Sequence, residues 1–307
     1  MSSVRRVHIG DGGDGFDVHE VGPGGGPVLT VLGGVHGDEV EGMIAASLFV
    51  ASLGPLTRGT VRVVPVCNER AADRRLRALL DDGGDLARSF PGVIDGSLIE
   101  RIAHELAREV IAGSDLMVDL HSAGVAYAMP LLVGATTGPD TVSAASERAA
   151  RCFGGPVLWL HDSVAPGRTL TCALDQGIPA IYVEHPGGPG VDTASVERTM
   201  AGLRRLLAQL GMVDEAPPAS DPTIVLHGNG DLDHNNLRTP SSGLLWPLVA
   251  AGERVGPGQA LARVIAPDGS VREVVTSIEG GVVVMMRRAC AVVAGDRVAT
   301  VVAELQP

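Results

Sequence analysis

PVLTVLGGVHGDE, residues 27–39, is an apolar run of strand length that breaks at a pair of glycines and then offers a histidine and two carboxylates. A helical candidate, 40–53, follows at once. A strand that empties through a glycine turn into a helix is the repeating step of an open α/β sheet, and such sheets place their sites at the carboxyl ends of the strands. The same step recurs down the chain. The runs 61–66 (VRVVPV), 116–120 (LMVDL) and 180–183 (AIYV) read as strands, and 96–111, 141–153 and 194–210 read as helices between them. The expected fold class is therefore α/β, a largely parallel or mixed sheet with helices on both faces.

The rhythm stops at 214–222, DEAPPASDP, which reads as a linker. Beyond it come short β-type runs at 243–249, 259–265, 270–275, 281–286 and 297–302, separated by turns such as APDGS and VAGDRV. This pattern predicts a small C-terminal all-β, barrel-like domain. The expected division is 1–213, a linker at 214–222, and 223–307.

Bulk composition narrows the function. The chain of 307 residues is 45% hydrophobic and 20% charged, the balance of a globular protein with a substantial core. A net charge of -12 disfavours nucleic acid, whose phosphates need clustered cations. It leaves room for a small anionic substrate held by a few local arginines. Cys67, Cys152, Cys172 and Cys290 are scattered with no CxxC pair, so neither a disulfide framework nor a cysteine-built metal site is expected. No apolar segment reaches the length of a membrane span, and the start lacks a signal-peptide core, so a soluble, cytoplasmic protein is expected.

Three strand exits carry the chemistry. His36 and Glu39, three residues apart at the first exit, can converge on one cation, and an imidazole nitrogen with a carboxylate oxygen suits zinc. DLHS, at the end of LMVDL, supplies His121 as a third ligand and Asp119 as a carboxylate able to orient a ligand histidine. Two histidines and one glutamate leave a fourth zinc position open, as a catalytic site requires. Glu184 ends IPAIYVE at a further exit, where a carboxylate can serve as general base and then general acid. Each fragment alone also fits a capped strand end; their common placement favours one zinc ion per chain. Between the first and second exits, NERAADRRLRALLDDGGDLARSFPG, 68–92, is dense in arginine, the residue that polarises carbonyls and clamps carboxylates.

GGVHGDE, DLAR with its following FPG, DLHS and the strand-end Glu184 occur in an order and spacing that resemble the succinylglutamate desuccinylase/aspartoacylase family of the zinc carboxypeptidase superfamily. The resemblance covers about residues 27–190. It implies a zinc carboxypeptidase-like fold, with zinc on His36, Glu39 and His121 and with Glu184 as base and acid. It also implies Arg77 as the oxyanion-stabilising arginine, Arg88 as the carboxylate clamp, and Asn68 as a substrate-binding residue. Two positions depart from the pattern: Ala87 stands where the family has asparagine, and Glu69 where it has proline. The C-terminal part resembles a lipoyl/biotinyl-type β domain, but the hairpin at 277–280 is SIEG and no lysine occurs in this part, so it is not a swinging-arm carrier. A structural cap, a lid or a homo-oligomer surface remain open for it. The implied activity is hydrolysis of the amide of a small, carboxylate-bearing N-acyl amino acid or a related compound. A carboxypeptidase-like amide hydrolase and a non-catalytic metal- or ligand-binding relative are the alternatives.

Overall fold

A computed structural model describes residues 2–10, 13–79, 84–218, 222–230, 232, 236–288 and 291–304. Cys290, 80–83 of the arginine-rich stretch and 219–221 of the linker lie outside the described residues.

The large sheet is built from β1 (Ser2–His8), β2 (Gly15–Gly24), β3 (Val28–Gly33), β4 (Gly59–Val64), β5 (Leu116–Ser122), β7 (Leu132–Thr136), β8 (Val157–His161), β9 (Ala180–His185) and β10 (Ile224–Gly228). A two-residue strand, β6 (Tyr127–Ala128), lies apart from it. The spatial order is β1-β2-β4-β3-β5-β9-β7-β8-β10. Pairing is parallel from β4 through β3 and β5 to β9, antiparallel between β9 and β7, and parallel again to β8 and β10. The sheet is therefore mixed.

Strand alternation divides the core into two layers. Leu29, Val31, Val118 and Leu120 face α1 (Val40–Ala51), α4 (Thr141–Phe153) and α6 (Thr193–Gln209), whose Phe49, Phe153 and Leu203 fill that layer. Leu32, Val64 and Met117 face the other way, toward α3 (Leu98–Leu106), α5 (Thr169–Asp175) and the short α2 (Glu69–Arg74). The helix expected over 96–111 begins at a Ser97–Glu100 capping box and ends in a π-helical turn, Ala107–Ile111.

The strands β1, β2, β7 and β8 and the helices α2 and α5 were not expected from sequence. β1 and β2 lie at the antiparallel edge, where polar residues interrupt the apolar pattern. β7 and β8 are short runs preceded by Pro130 and Pro156, and Gly134 interrupts β7.

The C-terminal part comprises β11 (Asn236–Arg238), β12 (Gly243–Pro247), β13 (Arg254–Val255), β14 (Ala260–Ile265), β15 (Val271–Thr276), β16 (Gly281–Arg287), β17 (Ala291–Val292) and β18 (Arg297–Val302). They form two antiparallel sheets over a core that includes Leu245, Leu261, Val264, Val283 and Val298. One boundary needs correction. Ile224–Gly228, expected to open the C-terminal domain, pairs in parallel with β8 and completes the large sheet. Its apolar side meets Val157 and Trp159, a burial that the adjoining proline-rich linker disguises in sequence. In the reverse sense, β6 from the α/β part pairs with β16, so the two parts are stitched together by strand pairing.

Candidate metal and active site

The turn after β3 brings His36 and Glu39 to the sheet edge. It packs so closely on α2 that a Cβ at Gly37 would lie 2.0 Å from the Ala71 carbonyl carbon, which only glycine tolerates. His121 leaves the sheet on the neighbouring β5, and Glu184 on β9 is its register partner.

Glu39 stands at the centre and is 2% exposed. Its Oε1 lies 2.7 Å from His36 Nδ1 and its Oε2 lies 2.8 Å from His121 Nδ1. The Ser122 backbone N–H donates to Oε2 at 3.0 Å, and Arg77 Nη1 donates to Oε1 at 3.1 Å. Each imidazole is backed by a carboxylate on its far nitrogen: Asp85 Oδ1 is 3.0 Å from His36 Nε2, and Asp119 Oδ2 is 2.9 Å from His121 Nε2. Thr169 Oγ1 in turn donates to Asp119. The three ligand atoms of His36, Glu39 and His121 lie within 4.8 Å of one another. Two Nδ1 atoms and one carboxylate, with both Nε2 atoms held from behind, form a donor set suited to zinc.

The field at this point favours a cation. Burial opposes protonation of His121, but Asp119 and Glu39 outweigh it and hold the imidazole well above its ordinary value. Burial likewise opposes ionisation of Glu39, yet the two histidines keep its carboxyl well below the usual range. Glu184 behaves oppositely. Burial pushes it up to about 7, with Glu39 adding to the rise while His121 and Arg77 oppose it. Its Oε2 is buried without a hydrogen-bond partner.

These groups line a cavity of about 520 Å³. Arg77 reaches it half-exposed, its Nε 3.6 Å from Asp85. Arg88 lines the cavity and donates from Nη1 to the Ala87 carbonyl at 3.2 Å, to which Arg168 also donates at 3.4 Å. Asn68 is placed elsewhere, which corrects the expectation that it touches substrate. It is fully buried, caps α2 by accepting from Ala71 N at 3.2 Å, and does not line the cavity. An asparagine ahead of a helix satisfies the helix's unpaired amides, and that local role holds it.

Sequence reasoning missed two groups here. Asp85, the first residue of DLAR, mirrors Asp119 behind the other histidine; the signal was a carboxylate within a motif already singled out. Arg168 joins Arg88 from the start of α5 and carries no motif of its own. The C-terminal part also reaches the cavity, through Arg238, Met285, Arg287, Asp296 and Arg297. Among the described residues no helix is long and apolar enough to cross a membrane.

The succinylglutamate desuccinylase/aspartoacylase catalytic domain matches residues 25–210. An N-alpha-acetyl-L-2,4-diaminobutyric acid deacetylase from Halomonas elongata is 32% identical over 247 residues, covering 78% of this chain and 71% of that protein. Among solved structures, a succinylglutamate desuccinylase/aspartoacylase from Rhodobacter sphaeroides superposes with a TM-score of 0.88 at 25% identity, covering 100% of this chain and 96% of the other. The product-bound ectoine utilization protein EutE from Ruegeria pomeroyi gives 0.86 at 26% identity, with 95% and 90% covered. The chain belongs to the succinylglutamate desuccinylase/aspartoacylase family.

Proposed function

We propose that this chain is a zinc-dependent deacylase that hydrolyses the amide bond of a small, carboxylate-bearing N-acyl amino acid. The observation that carries the reading is the convergence of His36, Glu39 and His121 beside a buried carboxylate, Glu184, with no partner on Oε2. A zinc ion on the three ligands would supply Lewis acidity and make water nucleophilic near neutral pH. Its charge would also draw Glu184 from about 7 toward the ionised state that a general base needs. Glu184 takes a proton from the attacking water and returns it to the departing nitrogen. Water and amide are thereby converted into a carboxylic acid and a free amine.

Arg77, at the cavity and beside Glu39, stabilises negative charge on the acyl oxygen. Arg88, with Arg168 beside it, holds the carboxylate of the amino acid half through charge-assisted hydrogen bonds. The name of the Halomonas relative makes N-acetylated diamino acids the first compounds to try. The test is release of primary amine from a panel of N-acyl amino acids, with and without added zinc. Zinc-dependent release is expected; its absence across the panel would overturn the reading.

A further inference from the structure

Asp38, Glu39 and Glu41 stand close together at the exit of β3, and only Glu39 belongs to the metal triad. Glu41 is engaged elsewhere. Its Oε2 accepts from Gly187 N at 2.9 Å and its Oε1 from Asp192 N at 3.2 Å, which holds the loop after β9. Asp38 lines the cavity, and the hydrolytic chemistry above does not use it.

Among the described residues the carboxylates at the cavity are Asp38, Glu39, Asp85, Glu184 and Asp296. Glu39 lies against both ligand histidines and Arg77. Asp85 backs His36 and accepts from Ala87 N at 2.9 Å. Asp296 pairs with Arg287 at 3.2 Å and accepts from Val293 N at 3.0 Å. Glu184 is the base of the proposed reaction. Asp38 is left over: its Oδ1 is buried without a hydrogen-bond partner, and no ion pair reaches its carboxylate among the described residues.

Its place is fixed by its neighbours. Asp38 immediately precedes Glu39, and consecutive Cα atoms lie about 3.8 Å apart, so its carboxylate is tethered beside the metal triad. The charges felt most there are those of Glu39, Arg77 and His36. On its other side is the loop after β5, where a Cβ on Gly124 would lie 2.7 Å from Asp38 Oδ2. That loop is itself held, since Gly124 N donates to Ser122 Oγ at 3.2 Å and Gly188 N donates to the Gly124 carbonyl at 2.7 Å. A carboxylate oxygen buried without a partner carries a desolvation cost, which an arriving cation removes.

We propose that Asp38 is a specificity-determining residue that receives an ammonium carried on the substrate's side chain, which makes the preferred substrate an N-acyl diamino acid. This rests on the deacylase reading, with the substrate carboxylate at Arg88. A small diamino acid carries both its carboxylate and its ammonium within a few bonds of the cleaved amide. Its side-chain amine is cationic at neutral pH, since alkyl amines titrate near ~10. In a cavity otherwise rich in arginine, such a cation needs an anion of its own, and Asp38 is the one without another partner.

The experiment measures kcat and KM of the zinc-supplemented full chain on two compounds, followed as released acetate. One is N-alpha-acetyl-2,4-diaminobutyrate; the other, N-alpha-acetyl-2-aminobutyrate, lacks only the side-chain amine. A hydrogen bond between charged groups is worth roughly 10–100-fold in affinity, so the diamino compound should be preferred by about that factor, chiefly through KM. Asp38→Asn keeps the shape and removes the charge. It should cut the preference to a few-fold by raising KM for the diamino compound. The wild-type constants decide even if the variant does not fold. No preference in the wild type, or an undiminished one in the folded variant, would overturn the proposal and leave the deacylase reading intact. An equal fall in kcat on both compounds would assign Asp38 to the chemistry and likewise overturn it. Failure to cleave either compound or any other N-acyl amino acid would sink the deacylase reading and the proposal with it.

Discussion

The two flanks of the cavity are built by different means. In one, Arg77, Asp85 and Arg88 come from one short segment and Arg168 from the connection between β8 and α5, and charges hold one another in place: Arg77 on Glu39, Asp85 on His36. In the other, Tyr182, His161 and Gly134 come from three strands, with Gly230 from the segment beyond β10, and aromatic packing with close backbone contact holds them. A charged flank tolerates adjustment, because a guanidinium can reach its target along several paths and its charge acts over distance. An aromatic flank pressed against glycines has one arrangement or none.

The largest effect should come from the boundary between the flanks. Glu184→Gln keeps the shape of the site and removes only the base, so turnover should fall by ~10²–10⁴-fold, while zinc content and the far-ultraviolet circular dichroism stay as in the parent. Turnover within a few-fold of the parent would move the base to another residue.

The carboxylates behind the imidazoles come next. Asp119→Asn and Asp85→Asn should each weaken metal affinity by about 10–100-fold, measured by competition with a chelator. Loss in one variant only would show that a single histidine is oriented from behind, and the symmetry of the site would be one of appearance.

On the charged flank, Arg88→Lys keeps the charge and loses the fork. It should raise KM about tenfold, the worth of one charge-assisted hydrogen bond, with little change in kcat. A fall in kcat at constant KM would place Arg88 with the reacting atoms and not with the carboxylate.

The smallest effect should be at Asn68, which the structure removes from the cavity. Asn68→Ala should lower unfolding free energy by about 1 kcal/mol through loss of the α2 cap, read by urea denaturation, with KM unaltered. A raised KM in a folded Asn68→Ala protein would restore it to substrate binding.

These flanks also mark how far the sequence could be read. His36, Glu39, His121 and Glu184 each follow an apolar run at the edge of the sheet, and a polar residue stranded at the end of a buried strand stands out in one dimension. Asp85 and Arg88 sit within a single motif, DLAR, although only Arg88 was picked out. The Tyr182–His161 pair had no such signal. Its two residues meet across β7, a strand not expected from sequence, and their contact depends on a glycine that looks like an interruption. Ile224–Gly228 was hidden for a related reason: what makes it a strand of the large sheet is a parallel partner, Val157–His161, far away in the chain. Asn68 erred in the opposite direction, since the family pattern gave it a substrate role and its immediate neighbour, the Ala71 amide, gave it a structural one.

The central claim is that His36, Glu39 and His121 together hold a catalytic zinc ion. It is tested most directly by elemental analysis of the purified chain and of His36→Ala and His121→Ala, each dialysed against the same buffer. The account predicts about one zinc per chain for the parent, as three ligands with an open fourth position imply, and sharply reduced zinc in both variants. Full zinc content in the two variants, or a metal-free parent that still releases amine, would contradict it.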